Sequence, residues 1–340
     1  MPQIQNHWYG FNSRTVGDSR LVGSRWLGAV MLGILAHSFL AFTGNAQTAS
    51  TSPSVVYVDA SYPAENGTVV TFPKIGGTGA YEIGRNAFPT IQAAADRVAA
   101  GGTISVAAGT YIENISIQKA LSLVGPNAGK SGVDSSRGPE AIILPSINDP
   151  ENIPIISVEA SHTLINGFLL DGHNPALSGG YDANGVPVHA AAGVQNGIYP
   201  NTTDVDHITV QNNIVRNLSY DGVCLDRFPF LGASSGWNYI LNNKFENMWE
   251  GLLTYSVEAV IAHNTITNVT HGLSVHGAVA PAPTGFAPII ASNTLSIAQW
   301  WPVEISLTRA PGIWVNYRRE NASPLRVVGN VIDTPTPAGA

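Results

Sequence analysis

The residues that could do chemistry fall into two sets, defined by their distance from a recurring glycine. In the first set, Asn196, Asp221, Glu250 and His271 each stand directly before a glycine and an aliphatic residue. If the repeats stack, Asp221 and Glu250 come about 5 Å apart, as in a retaining glycosidase, with His271 beside them as acid or base. The alternative is a row of solvated turn residues, because Asp and Asn favour corners.

The second set, Asn201, Asp226, Tyr255 and His276, stands four positions after the same glycines, where strand alternation predicts outward side chains. Asp226 and the adjacent Arg227, with Tyr255 and His276, would suit proton transfer at a sugar hydroxyl or α-carbon. Polysaccharide lyases need such a base and a neutralising group for the uronate, often calcium held by carboxylates. Calcium is therefore one candidate cofactor and no other is indicated. The alternative is a surface ion pair with ordinary polar decoration.

Aromatic and basic side chains offer candidate sugar-binding surfaces, because flat rings pack on the apolar faces of sugars and guanidinium groups bind carboxylates. The alternative is that the tryptophans pack in the fold and the arginines are solvated loop charges. The candidate substrate-binding residues are Trp249, Tyr255, Trp300, Trp301, Trp314, Tyr317, Arg318 and Arg319. The spacing of His162 and His207 does not match that of metal ligands, and Asp206 is interpreted as a turn residue. The sequence identifies no set of metal ligands.

Three repeats must position these side chains, because each contains a short alternating apolar run, an asparagine and a second apolar run. The anchor asparagines Asn213, Asn243 and Asn264 are 30 and 21 residues apart. Alternation predicts strands, and repetition at this length predicts a solenoid with one coil per repeat. A glycine corner at positive φ and an asparagine corner would start the strands of each coil. A second asparagine column, Asn217, Asn247 and Asn268, is expected to stack along the axis.

A helix precedes the repeats and is expected to cover the open end of the solenoid. Thr90 is a plausible N-cap, one face is apolar, and Gly101 and Gly102 end the helix. Residues 88–97 and 102–117 resemble the opening of the pectate-lyase-like right-handed parallel β-helix superfamily, and its first coil resembles that of pectin methylesterases. The resemblance covers about residues 86–333. It implies an all-β, right-handed parallel β-helix with an N-terminal capping α-helix.

The resemblance leaves the reaction open, because lyases, hydrolases, esterases, epimerases and binding proteins share this architecture. Pectin methylesterases carry a catalytic aspartate in an Asp-Phe-Ile-Phe-Gly strand, and this sequence has no such segment. The paired Asn/Asp, Gly-His-Gly and Arg-x-Lys signatures of polygalacturonases are also missing.

The chain divides into a leader, an N-terminal segment, the solenoid and a short tail. Residues 1–46 contain three arginines, an apolar run and a small-residue cleavage site, which predict a signal peptide. The alternative is an uncleaved membrane anchor. Residues 47–85 are expected to form a linker and first strand, with loop from residue 60 onward, and residues 334–340 a Pro/Ala-rich tail. Long excursions from the coils are expected at 174–195, 278–287 and 309–324.

The net charge limits the classes of partner, and the cysteine content limits disulfide formation. Without the leader the chain holds 13 Lys and Arg against 22 Asp and Glu, a net charge of −9. That charge argues against nucleic acid, and makes an acidic polysaccharide a less natural substrate without calcium or a basic patch. Cys224 is the only cysteine, so no internal disulfide forms. The C-terminal end has no evident cap, which leaves oligomerisation through that end open.

The sequence therefore predicts a secreted, periplasmic or cell-surface β-helix that acts on extracellular polysaccharide as a lyase or glycosidase. No stable membrane span is expected after cleavage. The alternative is a non-catalytic, glycan-binding or adhesin-like surface solenoid.

Overall fold

A computed structural model describes much of the chain. Its described residues are 52–147, 153–177, 196–199, 205–225, 235–255, 257–276, 285–298, 312–316 and 325–333. They belong to one compact unit, Ser50–Ala340. The predicted signal peptide and the C-terminal tail lie outside these ranges. No helix within them is long and apolar enough to cross a membrane.

The described residues form one helix, α1 (Ile91–Arg97), and 25 strands. In the N-terminal half the strands are β1 (Val55–Val58), β2 (Val69–Phe72), β3 (Thr78–Glu82), β4 (Ala87–Phe88), β5 (Gly102–Val106), β6 (Gly109–Ile112), β7 (Ile115–Ile117), β8 (Leu121–Val124), β9 (Ala141–Leu144), β10 (Ile156–Val158), β11 (Thr163–Asn166) and β12 (Leu169–Asp171). In the C-terminal half they are β13 (Ile198–Tyr199), β14 (Thr209–Gln211), β15 (Ile214–Arg216), β16 (Asp221–Leu225), β17 (Ser235–Leu241), β18 (Lys244–Tyr255), β19 (Val257–Ala262), β20 (Thr265–His276), β21 (Ile289–Ala291), β22 (Thr294–Ile297), β23 (Ile313–Asn316), β24 (Arg326–Val328) and β25 (Val331–Asp333).

All strands except β2 and β3 join two parallel sheets. One sheet has the order β24-β21-β19-β17-β14-β11-β8-β5-β1-β4, so strands from successive coils lie side by side. A typical coil gives one strand to this sheet and two to the other, and in β18 and β20 those two merge into strands of 12 residues. The buried side chains of the coils form one continuous apolar core. The predicted right-handed parallel β-helix is confirmed.

The helix covers the N-terminal end of this core, as predicted. The Thr90 side chain accepts a hydrogen bond from the Ala93 N–H, and Ile91 and its neighbouring apolar residues are buried against the first coil. The backbone N–H groups of Ile91 and Gln92 donate to the Glu113 carboxylate at 2.8 and 2.9 Å. A carboxylate at this position satisfies helix N-terminal donors that have no partner within the helix.

Three expectations from the sequence are wrong. Residues 60–86, expected to be loop, contain the antiparallel pair β2–β3, which packs against Tyr57 through Phe72 and Tyr81. Residues 309–324, expected to be an excursion, contain β23. The stacked corner glycines do not adopt positive φ; asparagines such as Asn217, at 58°, do so instead. The strands β2, β3 and β23 are only four or five residues long, which is too short for their alternation to stand out in the sequence.

The corner glycines are needed for close packing between coils. A Cβ on Gly222 would lie 2.5 Å from the Phe245 ring and 2.6 Å from the carbonyl oxygen of Gly251. A Cβ on Gly251 would likewise lie 2.8 Å from the carbonyl oxygen of Gly272. Any side chain there would push neighbouring coils apart, so glycine is required by contact and not by backbone angle.

A buried column of anchor asparagines ties the coils together. Asn243 Oδ1 accepts from the Asn213 N–H and from Asn213 Nδ2, while Asn243 Nδ2 donates to the Val210 carbonyl and to Asn264 Oδ1. The same pattern continues through Asn293 to Asn330. Four bonds satisfy the whole amide of Asn243, so burying this polar side chain stabilises the stack.

The second asparagine column is confirmed beside it. Asn268 Nδ2 donates to Asn247 Oδ1 at 2.7 Å, and Asn247 Nδ2 donates to Asn217 Oδ1 at 2.9 Å. Asn217 Nδ2 ends the ladder on the Asp171 carboxylate, which also contacts Arg216.

The last coil is open at its C-terminal end in the described part of the chain. Val327 and Ile332 pair with the buried Ile290 and Leu295, yet they are 47% and 46% exposed. Oligomerisation through this end stays a prediction.

The asparagine column gives a stability prediction. Asn243→Ala should lower the free energy of unfolding by about 2 to 4 kcal/mol, because it leaves buried partners on both neighbouring coils unsatisfied. Asn242→Gly is the matched control, since Asn242 is half-buried at φ 57° and glycine tolerates that angle. Urea unfolding should show the control within about 1 kcal/mol of wild type. Equal losses in both variants would contradict this account.

Candidate active site

Three neighbouring coils bring Asp221, Glu250 and His271 of the first predicted set into one row. In the parallel register Asp221 lies opposite Glu250, and Glu250 lies opposite His271. The row lies at the start of β16 and in the second halves of β18 and β20, directly before the stacked glycines. Parallel strands are about 4.8 Å apart, so the two carboxyl-bearing residues are near neighbours across one strand spacing.

The two acids of this row are buried, so their interpretation as solvated turn residues is wrong. Asp221 is 1% exposed and Glu250 is 5% exposed. Glu250 Oε1 has no hydrogen-bond partner among the described residues. Burial raises the pKa of Glu250 to about 8, against a smaller lowering by a hydrogen bond from Ser274. The Glu250 carboxyl therefore holds its proton at neutral pH, which is the state of a general acid.

Aromatic residues, Tyr220 and Trp249, stand directly before Asp221 and Glu250 in the sequence. The Trp249 ring is stacked parallel to Tyr220, with centroids 6.4 Å apart and planes 3° apart. On its other side Trp249 meets the His271 ring at 4.7 Å and 60°. Burial lowers the pKa of His271, which keeps this imidazole neutral at pH 7. A neutral imidazole can donate or accept a proton beside the acidic pair.

The second predicted set is only partly described. The backbone of Tyr255 pairs with that of His276, and the His276 ring contacts Trp314 at 5.2 Å in an edge-on arrangement. Burial lowers the pKa of His276 as well. Trp314 is 47% exposed, so its ring is available at the surface. The candidates outside the described residues are Asp226, Arg227, Trp300, Trp301, Tyr317, Arg318 and Arg319.

Ser274 is the site residue that sequence reasoning missed. It lies opposite Leu253 on the preceding coil, three positions beyond His271, and its side chain is buried. Serine is common in strands and turns, so composition gave no signal. The signal was available in the repeat alignment, since the equivalent residues on the two preceding coils, Cys224 and Leu253, are apolar.

Comparison with known proteins supplies no further information about the reaction. No protein-family model matches the chain, and no curated protein matches it. The chain is similar to two crystal structures of the pectin methylesterase from Aspergillus niger, both at 14% identity. The penultimately deglycosylated form covers 84% of this chain and 87% of its own, with a TM-score of 0.38. The deglycosylated form covers 82% and 85%, with a TM-score of 0.40. The fold assignment stands on the strand register described above.

The raised pKa of Glu250 predicts a specific pH dependence of stability. Because the folded pKa of about 8 lies above the ordinary 4.5, Glu250 stabilises the fold at low pH, and this contribution is lost as the pH rises towards 8. The free energy of unfolding should fall by about 1 kcal/mol per pH unit between about pH 5 and 8 through this group. Urea unfolding of wild type and Glu250→Gln across this range isolates the effect.

His271 and His276 titrate in the opposite sense, and their contribution cancels in the difference between the two proteins. Glu246→Gln is the matched control, because Glu246 is half-buried on the same strand and pairs with Lys244 at 2.6 Å. The control should keep the wild-type slope. An unchanged slope in Glu250→Gln would show that Glu250 titrates normally.

Proposed function

We propose that this protein is a glycan-directed hydrolase that cleaves a glycosidic bond with Glu250 as general acid and Asp221 as the carboxylate partner. The observation that carries the proposal is the buried pair in register on neighbouring strands, and the raised pKa of Glu250 supports it. Glycoside hydrolysis requires one protonated carboxyl group as the acid and a second carboxylate near it.

The separation of the pair favours a retaining reaction. Retaining enzymes hold their carboxyl groups about 5 Å apart, whereas inverting enzymes leave room for a water between them. One strand spacing between Asp221 and Glu250 fits the shorter distance. Glu250 would protonate the leaving oxygen while Asp221 attacks the anomeric carbon. Water would then release the sugar from Asp221, and Glu250 would take back the proton from that water.

The surrounding rings suit a sugar substrate. Trp249, which precedes Glu250 in the sequence, and the surface-exposed Trp314 offer flat apolar faces, and neutral His271 and His276 can donate hydrogen bonds to hydroxyl groups. The net charge without the leader favours a neutral glycan over an acidic one. A hydrolytic reaction of this kind needs no calcium, which belongs to the lyase hypothesis built on Asp226 and Arg227.

Polysaccharide outside the cell is the expected target, because the predicted leader would export the chain to the periplasm, the cell surface or the medium. The second candidate function is a non-catalytic glycan-binding solenoid. It is favoured by the low exposure of Asp221 and Glu250, since a substrate must reach both groups. On that account the buried acids are structural and sugars bind along the exposed aromatic side chains.

The activity test uses the chain from about Gln47 against neutral, pectic, alginate and glycosaminoglycan polymers, with and without calcium. Reducing ends and the ultraviolet absorbance of unsaturated products are followed together. We expect new reducing ends without absorbance, independent of calcium, with activity falling as the pH rises through about 8 because Glu250 loses its proton. Glu250→Gln and Asp221→Asn should each lower kcat about 100-fold or more.

Glu246→Gln serves as the matched control and should retain wild-type kcat. Rising absorbance would mean β-elimination and contradict the hydrolase. Retention on a glycan column without any product would favour the binding solenoid.

A further inference from the structure

Two histidines and an aspartate meet at a corner of the β-helix, where the chain enters β11 and β14. His162 precedes β11, and Asp206 with His207 lies just before β14 on the next coil. Their ligand atoms, a ring nitrogen from each histidine and a carboxylate oxygen, all lie within 4.8 Å of one another. The sequence spacing gave no sign of this cluster, because 45 residues separate His162 from His207, yet the fold places the two side by side.

The backbone holds the three residues in place. The His162 N–H donates to the Asp206 carbonyl at 3.1 Å, and the His207 N–H donates to the Gly236 carbonyl. The Asp206 N–H donates to the Ser161 hydroxyl at 3.0 Å. His162 and His207 both adopt positive φ, at 60° and 54°, a region that few non-glycine residues occupy. Their side chains are thus presented by equivalent corners of two hydrogen-bonded coils.

The side chains are already close to a ligand arrangement. The His162 and His207 rings face each other with centroids 4.3 Å apart and planes tilted by 35°. Nδ1 of His207 lies 3.0 Å from Oδ1 of Asp206. Trp237 stacks on the far side of His207 at 5.9 Å and limits the rotation of that ring. In a tetrahedral zinc site, ligand atoms about 2.0 to 2.1 Å from the metal lie roughly 3.3 Å apart.

We infer that His162, Asp206 and His207 form a binding site for a divalent transition-metal ion such as Zn²⁺. Two imidazoles and one carboxylate suit zinc and its neighbours, whereas calcium and magnesium prefer all-oxygen sites. Three protein ligands leave a fourth tetrahedral position for water or an added ligand. The metal would join two successive coils at their corner, independently of the hydrolase proposed above.

Zinc binding by the intact mature chain tests this inference. The measurement is competition for ZnCl₂ with a chromogenic chelator, with Co²⁺ absorption as a second reading of the ligand geometry. We expect one equivalent bound by wild type. His162→Asn and His207→Asn should each weaken binding about tenfold or more, because each removes one of only three ligands. Asparagine tolerates positive φ, so both variants should keep the fold.

The matched control is His263→Asn. His263 is an exposed histidine at φ 57° on another corner, so the substitution changes the same residue type at the same backbone angle. This control should bind zinc as wild type does. The inference is overturned if wild type binds no zinc saturably, or if all three variants bind with wild-type affinity. Unfolding without zinc should be unchanged in every variant, which separates ligand loss from misfolding.

Discussion

Hydrogen bonds between successive coils, through the parallel strands and the buried asparagine column, determine how the coils of this molecule align. Each anchor amide bonds to the coil before it and the coil after it, so a coil cannot slip relative to its neighbours without leaving buried polar groups unsatisfied. These bonds fix which residue of one coil pairs with which residue of the next. Equivalent positions on successive coils become spatial neighbours, whatever the length of chain between them.

The candidate active site is a direct consequence of that register. Stacking puts Asp221 and Glu250 one strand spacing apart, and the glycine row beside them permits the coils to approach closely. Burial then raises the pKa of Glu250 above that of an ordinary glutamate, because desolvation disfavours its charged form. The stacking of ordinary coils is therefore enough to bury Glu250 and raise its pKa. The histidine corner follows the same principle, with His162 and His207 presented by equivalent positions.

Much of the fold and part of the site follow from the sequence. The spacing of the asparagines predicted the column from Asn213 to Asn264, and the spacing of the glycines predicted the row of Asp221, Glu250 and His271. Burial was not predictable, because polar residues beside glycine are solvated in most corners. The β2–β3 pair was hidden by its length, and the His162–His207 contact by irregular coil length. The spacing of two metal-ligand residues in the sequence predicts a site only when the fold of the chain between them is known.

The central claim is that Glu250 is a protonated carboxylic acid at neutral pH, and its own titration tests this most directly. Carbon-13 NMR of labelled side-chain carboxyl groups, with Glu250→Gln to assign the resonance, follows that titration in the folded protein. The account predicts that the resonance missing from the variant titrates near pH 8. Titration of the same resonance near 4.5, the ordinary value for glutamate, would contradict it.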